Sequence, residues 1–214
     1  MRRLLVATTN ADKLREIRQL LAGLPIELVS LRDVPSIEEP EEIGATFAEN
    51  ARLKARYYAR HSRLWTVAED SGLVVDALGG EPGIYSARFL RPDATYPERF
   101  AEIFRRLDAQ PGAPRTARFV AAVASVDEHD RLVYATEGIV DGQITREPRG
   151  SGGFGYDPIF FYPPYHATLA EVTEEEKNAV AHRGIAFRAF AEWIRNRQRQ
   201  ATNDQPGKTM NGER

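Results

Sequence analysis

The chain has 214 residues, of which 42% are hydrophobic and 28% charged, so its size and composition suit one large globular domain with a substantial core. Its 29 Lys and Arg residues are balanced by 31 Asp and Glu residues, and the formal net charge of −2 argues against a general nucleic-acid-binding coat or a membrane-surface protein. The sequence contains no cysteine, which excludes disulfide scaffolds, cysteine-ligated zinc and thiol nucleophiles.

The sequence also lacks targeting and zinc-binding patterns. The histidines show no spacing typical of zinc ligands. The apolar run that follows Arg2 and Arg3 is too short for the core of a signal peptide, and no stretch is long enough to span a membrane. We therefore expect a cytoplasmic protein that binds neither nucleic acid nor membranes.

The first part of the chain alternates between strand and helix patterns. The predicted elements are, in chain order, a strand at 4–7, a helix at 14–21, a strand at 26–31, a helix at about 46–61 and a short apolar strand at 65–68. The first helix is recognised by apolar residues at helical spacing, the second by its start signals after Gly44, and the strands by short apolar runs.

The second part contains a strand-rich stretch between two helices. The predicted elements are a helix at 96–107, strands at 117–126 and 132–140 that form an antiparallel hairpin, and a last helix at about 183–197. This order predicts an α/β fold with a mixed central sheet and flanking helices. We expect a single domain over 1–197, followed by a disordered polar tail over 198–214.

The first candidate segment, residues 8–16, lies where a buried strand turns into a helix. Backbone N–H groups at a helix start are free to bind an anion, and Asn10 is a suitable helix cap. Lys13 falls in the first turn, where a cation opposes the helix dipole unless an anion lies nearby. A plain cap with a solvated lysine is the simpler alternative, and this segment alone favours it.

The second segment, residues 41–55, places polar residues on one side of a predicted helix. Thr46, Asn50 and Lys54 follow one another at four-residue steps and therefore share a face. This face is either a solvated stripe or, beside Glu42, a wall that binds phosphate and metal. Both readings stay open, and Thr46 with Glu49 also fits a capping box.

The third segment carries Glu69, Asp70, Ser71 and Gly72 at the end of a predicted strand. Ligands of α/β sheets bind outside the carboxyl ends of strands. A magnesium ion takes one or two carboxylates together with phosphates and water, a need that Glu42 and Asp70 would meet if the fold brings them together. Asp70 could also orient or deprotonate an attacking water. The structural alternative is an ordinary Asp-Ser-Gly turn.

Two further segments could bind a nucleoside. Residues 150–157 are rich in glycine, which lets the backbone approach a ligand, and Phe154 and Tyr156 offer flat faces for a base. The alternative is a flexible hairpin loop. Lys177 and the group 181–184, which opens the last helix, are either part of the same site or ordinary surface residues.

The order and spacing of these segments resemble the inosine triphosphate pyrophosphatase family, also called non-canonical purine NTP pyrophosphatases. The similarity spans roughly residues 4 to 195. Its motifs are Thr-Asn-x-x-Lys-x-x-Glu, Glu-x-Gly-x-Thr-Phe-x-Glu-Asn-Ala-x-x-Lys-Ala, Asp-Ser-Gly-Leu-x-Val-Asp-Ala-Leu, Pro-Gly-x-Tyr-Ser-Ala-Arg, Gly-Phe-Gly-Tyr-Asp-Pro and His-Arg-Gly.

The resemblance implies two lobes around a cleft, usually a homodimer, and Mg²⁺-dependent hydrolysis of inosine, deoxyinosine and xanthosine triphosphates to monophosphate and pyrophosphate. It assigns the metal to Glu42 and Asp70, with Asp70 also the proton acceptor. The phosphate-binding residues it implies are Thr8, Thr9, Asn10, Ala11, Asp12, Lys13, Lys54 and Ser71. The nucleoside-binding residues it implies are Phe154, Gly155, Tyr156, Asp157, Lys177, His182 and Arg183. Glu69 stands where many relatives have Asp, so its role as a ligand stays open.

The base preference that the resemblance implies has a chemical explanation. Hypoxanthine and xanthine present a 6-keto acceptor where adenine presents an amino donor, so donors at His182 or Arg183 would favour the keto bases. Two alternatives are a pyrophosphatase for modified pyrimidine triphosphates and a nucleotide-sensing module without turnover. The retained carboxylates and lysines argue against the sensor.

Overall fold

The computed structural model describes residues 2–203. Its strands are β1 (Arg2–Val6), β2 (Ile26–Ser30), β3 (Trp65–Val75), β4 (Thr116–Val126), β5 (Leu132–Ile144), β6 (Phe160–Tyr162) and β7 (Ala167–Thr168). Its helices are α1 (Ala11–Leu20), α2 (Phe47–Ser62), α3 (Tyr96–Asp108), α4 (Glu174–Val180) and α5 (His182–Asn203). None of these helices is both long and apolar enough to cross a membrane.

The strands form one seven-stranded sheet in the order β2-β1-β3-β4-β5-β6-β7. β1 is parallel to β2 and β3, and the remaining pairs are antiparallel. The α/β class with a mixed sheet is thereby confirmed, as is the predicted hairpin, which is formed by β4 and β5.

The last helix is longer than predicted. α5 continues past Arg197 to Asn203, so residues 198–203 of the predicted disordered tail are helical. The remainder of that predicted tail, 204–214, lies outside the described residues.

β3 corrects the prediction of a short strand that ends at Ala68. It runs unbroken through Glu69 and Asp70, because its residues from Thr66 to Val75 pair continuously with β4. The Asp-Ser-Gly turn is therefore wrong. β1 accompanies β3 only as far as the pair of Val6 with Val67, so residues 69–71 lie beyond the carboxyl end of β1.

The core is divided along the length of β3, which gives the fold its two lobes. At the first half of the strand, Val67 packs with residues of α1 and α5, and Ala68 packs with residues of α2 on the other face. At the second half, Leu73 packs with residues of α3, β4 and β6. Ser71 and Gly72 lie between these clusters, and both line a surface cavity.

Candidate active site

Two adjoining cavities open where β1 ends and β3 continues. The acidic cavity contains, among the predicted site residues, Thr8, Thr9, Asn10, Lys13, Glu42, Lys54, Asp70 and Ser71. The aromatic cavity contains Asn10, Lys13, Ser71, Phe154, Gly155, Tyr156, Asp157, Lys177, His182 and Arg183. Asn10, Lys13 and Ser71 line both. Of the predicted residues, Ala11 and Asp12 line neither cavity, and the Asp12 carboxylate is paired with Arg15 at 2.6 Å.

The start of α1 forms one wall of both cavities. The Asn10 side chain caps the helix by accepting hydrogen bonds from the backbone N–H groups of Asp12 and Lys13 at 2.9 and 3.0 Å. The Lys13 side chain is only 19% exposed, and its Nζ lies 3.5 Å from Glu69 Oε1. Burial lowers the pKa of Lys13, while the neighbouring Glu69 opposes that shift. The alternative of a solvated lysine is therefore wrong.

Lys54 joins the two carboxylates that the resemblance assigns to a metal. Its Nζ donates to Glu42 Oε1 at 2.8 Å and to Asp70 Oδ1 at 3.1 Å. Asn50 Nδ2 donates to the other oxygen of Asp70 at 3.1 Å. Asn50 and Lys54 are 0% and 8% exposed, so the face of α2 that carries them is not a solvated stripe.

Thr46, the third residue of the predicted polar face, caps the start of α2. Thr46 Oγ1 accepts a hydrogen bond from the backbone N–H of Glu49 at 3.1 Å. The Glu49 carboxylate accepts from the backbone of Ala45 at 2.7 Å, one residue before the position that a complete capping box requires. The α2 start is thus fixed, which places Lys54 in the acidic cavity and Asn50 against Asp70.

The two carboxylates differ in basicity. Burial raises the pKa of Asp70, and the negative charge of Glu42 adds to that effect against the opposing charge of Lys54. Burial by itself would raise the pKa of Glu42 as well, but Lys54 and Arg88 more than offset it and leave that pKa below its usual value. Arg88 Nη1 donates to Glu42 Oε2 at 2.8 Å. Asp70 is therefore the better proton acceptor of the two.

Asp157 closes the glycine-rich loop of the aromatic cavity. Its Oδ2 accepts hydrogen bonds from the backbone N–H of Phe154 at 2.8 Å and from Lys177 Nζ at 2.6 Å. At Gly153 the backbone has φ +64°, and an added Cβ would lie 2.2 Å from Asp157 Oδ2, so only glycine fits. The loop is thus a fixed wall and not a flexible hairpin loop.

The aromatic rings of this cavity are held by charge and stacking. Phe154 lies under two cations, with Lys177 Nζ and Arg183 Cζ at 4.5 and 5.3 Å from its centroid. The His182 ring stacks on Phe119 at 4.7 Å with an interplanar angle of 14°. The Tyr156 hydroxyl donates to the backbone oxygen of Ser86 at 2.9 Å, which ties its ring into the wall.

His182 presents a buried atom without a partner. Burial, reinforced by the charge of Arg183, holds the pKa of His182 well below its usual value, so the ring is neutral near pH 7. Within residues 2–203, its Nδ1 is buried and has no hydrogen-bond partner. A buried polar atom of this kind needs a partner, and a ligand in the adjoining cavity would supply one.

Glu16 is a buried residue of the site that the sequence reasoning did not assign. Its carboxylate accepts from Lys177 Nζ at 2.8 Å and from Arg183 Nη1 at 2.6 Å. The signal was present, because Glu16 ends the first motif and is next to Ile17 of the apolar face of α1. Phe119 was also missed, and its place in an apolar strand gave no signal.

A divalent metal fits the acidic cavity only together with a ligand. Among residues 2–203, no group of three or more His, Asp or Glu side chains is placed to hold a metal ion. Magnesium usually takes one or two protein carboxylates, with water and substrate phosphates completing its shell. The hard oxygens of Glu42 and Asp70, which converge on Lys54, match that requirement.

Comparison with known proteins identifies the family. A dITP/XTP pyrophosphatase of Shigella flexneri is 44% identical over 197 residues, covering 92% of this chain and 100% of that protein. One from Geobacter sulfurreducens is 48% identical over 187 residues, covering 87% and 94%. The structure of a HAM1 protein from Coxiella burnetii has a TM-score of 0.86 at 38% identity, covering 92% of this chain and 100% of its own. A model of the Ham1 family matches residues 4–193, and the chain belongs to that family.

Proposed function

We propose that this protein hydrolyses non-canonical purine nucleoside triphosphates (inosine, deoxyinosine and xanthosine triphosphates) to the monophosphate and pyrophosphate, and so removes them from the nucleotide pool. The observation that carries the proposal is the pair of adjoining cavities. One holds carboxylates and lysines, the other holds aromatic rings and hydrogen-bond donors, and Asn10, Lys13 and Ser71 belong to both. Relatives at 44% and 48% identity that are named dITP/XTP pyrophosphatases support the same substrate class.

The triphosphate would lie in the acidic cavity. Lys13 and Lys54 supply positive charge there, and the start of α1 supplies the favourable end of a helix dipole. Phosphoryl transfer needs mainly positioning and charge stabilisation from the protein, so a covalent nucleophile is not required.

Magnesium is the proposed cofactor, and Glu42 and Asp70 are the residues that would hold it. When bound, it would neutralise charge on the polyphosphate. Asp70 would accept the proton of the attacking water, because its pKa is raised by burial and it is the more basic of the two carboxylates. Lys54 would then lie beside both the carboxylates and the phosphates.

The base would lie in the aromatic cavity, against Phe154. Arg183 keeps a donor for a keto oxygen, and the buried Nδ1 of His182 has no partner among the described residues. Adenine would place its amino donor against the Arg183 donor and leave buried groups unpaired, which costs several powers of ten in rate in sites of this kind.

A substrate panel tests the proposal. The protein is incubated with Mg²⁺ and each of inosine, xanthosine, adenosine, guanosine and methylated pyrimidine triphosphates, and pyrophosphate release is measured. Inosine and xanthosine triphosphates should react fastest. A preference for the methylated pyrimidine would instead identify a pyrimidine pyrophosphatase, and binding of inosine triphosphate without any product would identify a sensor.

The homodimer implied by the family resemblance is part of the same proposal. Light scattering coupled to size-exclusion chromatography should give twice the chain mass of 24.0 kDa. A mass of one chain across the concentration range of the activity assays would contradict it.

A further inference from the structure

Glu69 stands next to Asp70 in β3, but its carboxylate has different partners. Successive side chains of a strand point to opposite faces of the sheet. Asp70 contacts Asn50 and Lys54 of α2, whereas Glu69 contacts Arg183 of α5. Both oxygens of Glu69 accept from Arg183, at 2.6 Å from Nε and 2.8 Å from Nη2. The carboxylate whose role the sequence left open is therefore engaged by a guanidinium.

Arg183 is held by three acceptor side chains. Besides its two bonds to Glu69, its Nη1 donates to Glu16 Oε2 at 2.6 Å and its Nη2 to Ser71 Oγ at 3.3 Å. An arginine side chain carries five N–H groups, so these bonds leave one N–H, on Nη1. The Arg183 and Glu69 side chains are 3% and 1% exposed. The guanidinium is thus desolvated and fixed, and among residues 2–203 its partners leave a single donor for a ligand.

Glu69 also reaches the phosphate side of the site. Its Oε1 lies 3.5 Å from Lys13 Nζ, and Lys13 lines both cavities. Glu69 itself lines the acidic cavity, while Arg183 lines the aromatic one. The Glu69 carboxylate therefore contacts both Lys13, which faces the proposed phosphate site, and Arg183, which faces the proposed base site.

We propose that Glu69 is a positioning residue that fixes the Arg183 guanidinium for recognition of the keto base, and that it is not a metal ligand. The inference rests on the proposed function, in which Arg183 contacts the base. Two parallel charge-assisted hydrogen bonds orient the planar guanidinium more strictly than a single bond would. Removing them should weaken the contribution of the base to binding, and leave the contribution of the phosphates in place.

Calorimetric binding without metal separates these two contributions. Inosine triphosphate and inorganic tripolyphosphate are titrated in EDTA into the wild-type chain and into Glu69→Gln. The ratio of the two affinities, which measures the contribution of the nucleoside (base and ribose), should fall about 10-fold or more in the variant. Tripolyphosphate should bind equally or more tightly, because a negative charge beside Lys13 has been removed. Glu69→Asp, which keeps the charge on a shorter arm, should recover part of the loss.

A double-mutant cycle tests whether Glu69 acts through Arg183. In an Arg183→Lys background, Glu69→Gln should change the affinity ratio little further, because the bidentate partner is already gone. Glu137→Gln, an exposed change on β5, is the matched control and should leave the ratio unchanged. Circular dichroism confirms that each variant is folded.

The outcomes distinguish the positioning role of Glu69 from recognition of the base by Arg183. An unchanged ratio in folded Glu69→Gln, or a full additional loss in the Arg183→Lys background, would overturn the positioning role. An equal loss for inosine triphosphate and tripolyphosphate would overturn it as well. A wild-type chain that binds inosine triphosphate no better than tripolyphosphate would overturn the proposed base recognition itself, and the inference with it.

Discussion

Glu42 and Asp70 share one cation: Lys54 Nζ lies 2.8 Å from an oxygen of the first and 3.1 Å from an oxygen of the second. Glu42 comes from the loop before α2 and Asp70 from the middle of β3, so the fold alone brings them together. Without the Lys54 ammonium group between them, the two negative charges would repel each other. The same arrangement would accept a divalent cation together with a polyphosphate.

Asp70→Asn should remove turnover and leave the fold intact. The amide keeps the shape of the side chain but cannot accept a proton or provide a charged oxygen, so we expect kcat to fall by about 10³-fold. Pyrophosphate release and thermal unfolding measure the two effects. Glu38→Gln, an exposed change in the loop before α2, is the control for loss of charge. Substantial activity in folded Asp70→Asn would remove Asp70 from the central role.

Glu42→Gln should act mainly on metal dependence. The variant loses one proposed ligand charge but keeps Asp70, so the Mg²⁺ concentration for half-maximal rate should rise about 10-fold or more. Glu69→Gln provides the comparison, because its carboxylate is engaged by Arg183, and its Mg²⁺ dependence should match that of the wild type. If the Mg²⁺ concentration for half-maximal rate rose only in Glu69→Gln, Glu69 would be the metal ligand instead of Glu42.

Lys177→Met should destabilise the protein. Lys177 Nζ lies 2.6 Å from Asp157 and 2.8 Å from Glu16, and all three side chains are buried. Removing the cation leaves the buried Asp157 carboxylate without the ammonium group of Lys177, whereas Glu16 keeps Arg183, and we expect a cost of about 3 kcal/mol in the free energy of unfolding. Urea denaturation measures this. Arg15→Met removes a half-exposed surface cation and should cost no more than about 1 kcal/mol.

His182 should make stability depend on pH. Burial holds the pKa of His182 well below its usual value in the folded chain, whereas in the unfolded chain that pKa is about 6.5. As the pH falls below that value, His182 binds a proton in the unfolded state but stays neutral in the folded state. This destabilises the protein by up to about 1.4 kcal/mol per pH unit.

Urea denaturation between pH 6 and 5 measures this slope. His182→Gln should remove that part of the loss, whereas the exposed His129→Gln should retain it. An identical pH dependence of the wild type and His182→Gln would show that His182 takes up the same number of protons in both states.

Several elements were predictable because their residues repeat at clear spacings. The β4–β5 hairpin, α1 and α3 follow from apolar periodicity, and the Asn10 cap follows from its place before α1. α4 was not predicted, because it has only 7 residues, begins with three glutamates and is too short to show an apolar periodicity. Short elements of this kind depend on packing, which sequence spacing does not reveal.

β3 shows why the site was harder to predict than the fold. Three polar residues, Glu69, Asp70 and Ser71, look like a loop when the chain is read alone. They remain in a strand because β4 pairs with them and because distant helices supply Arg183 and Lys54 as buried partners. The motifs drew attention to these residues, but the partner of each carboxylate could be known only from the fold.

In the proposed complex a triphosphate bridges the two cavities, with its base beside Arg183 and its phosphates beside Lys54. Product analysis of inosine triphosphate hydrolysis with Mg²⁺ is the most direct test of this arrangement. We expect inosine monophosphate and pyrophosphate in equal amounts, with adenosine triphosphate cleaved at least about 10²-fold more slowly. Release of inosine diphosphate and orthophosphate, or equal rates on both nucleotides, would contradict it.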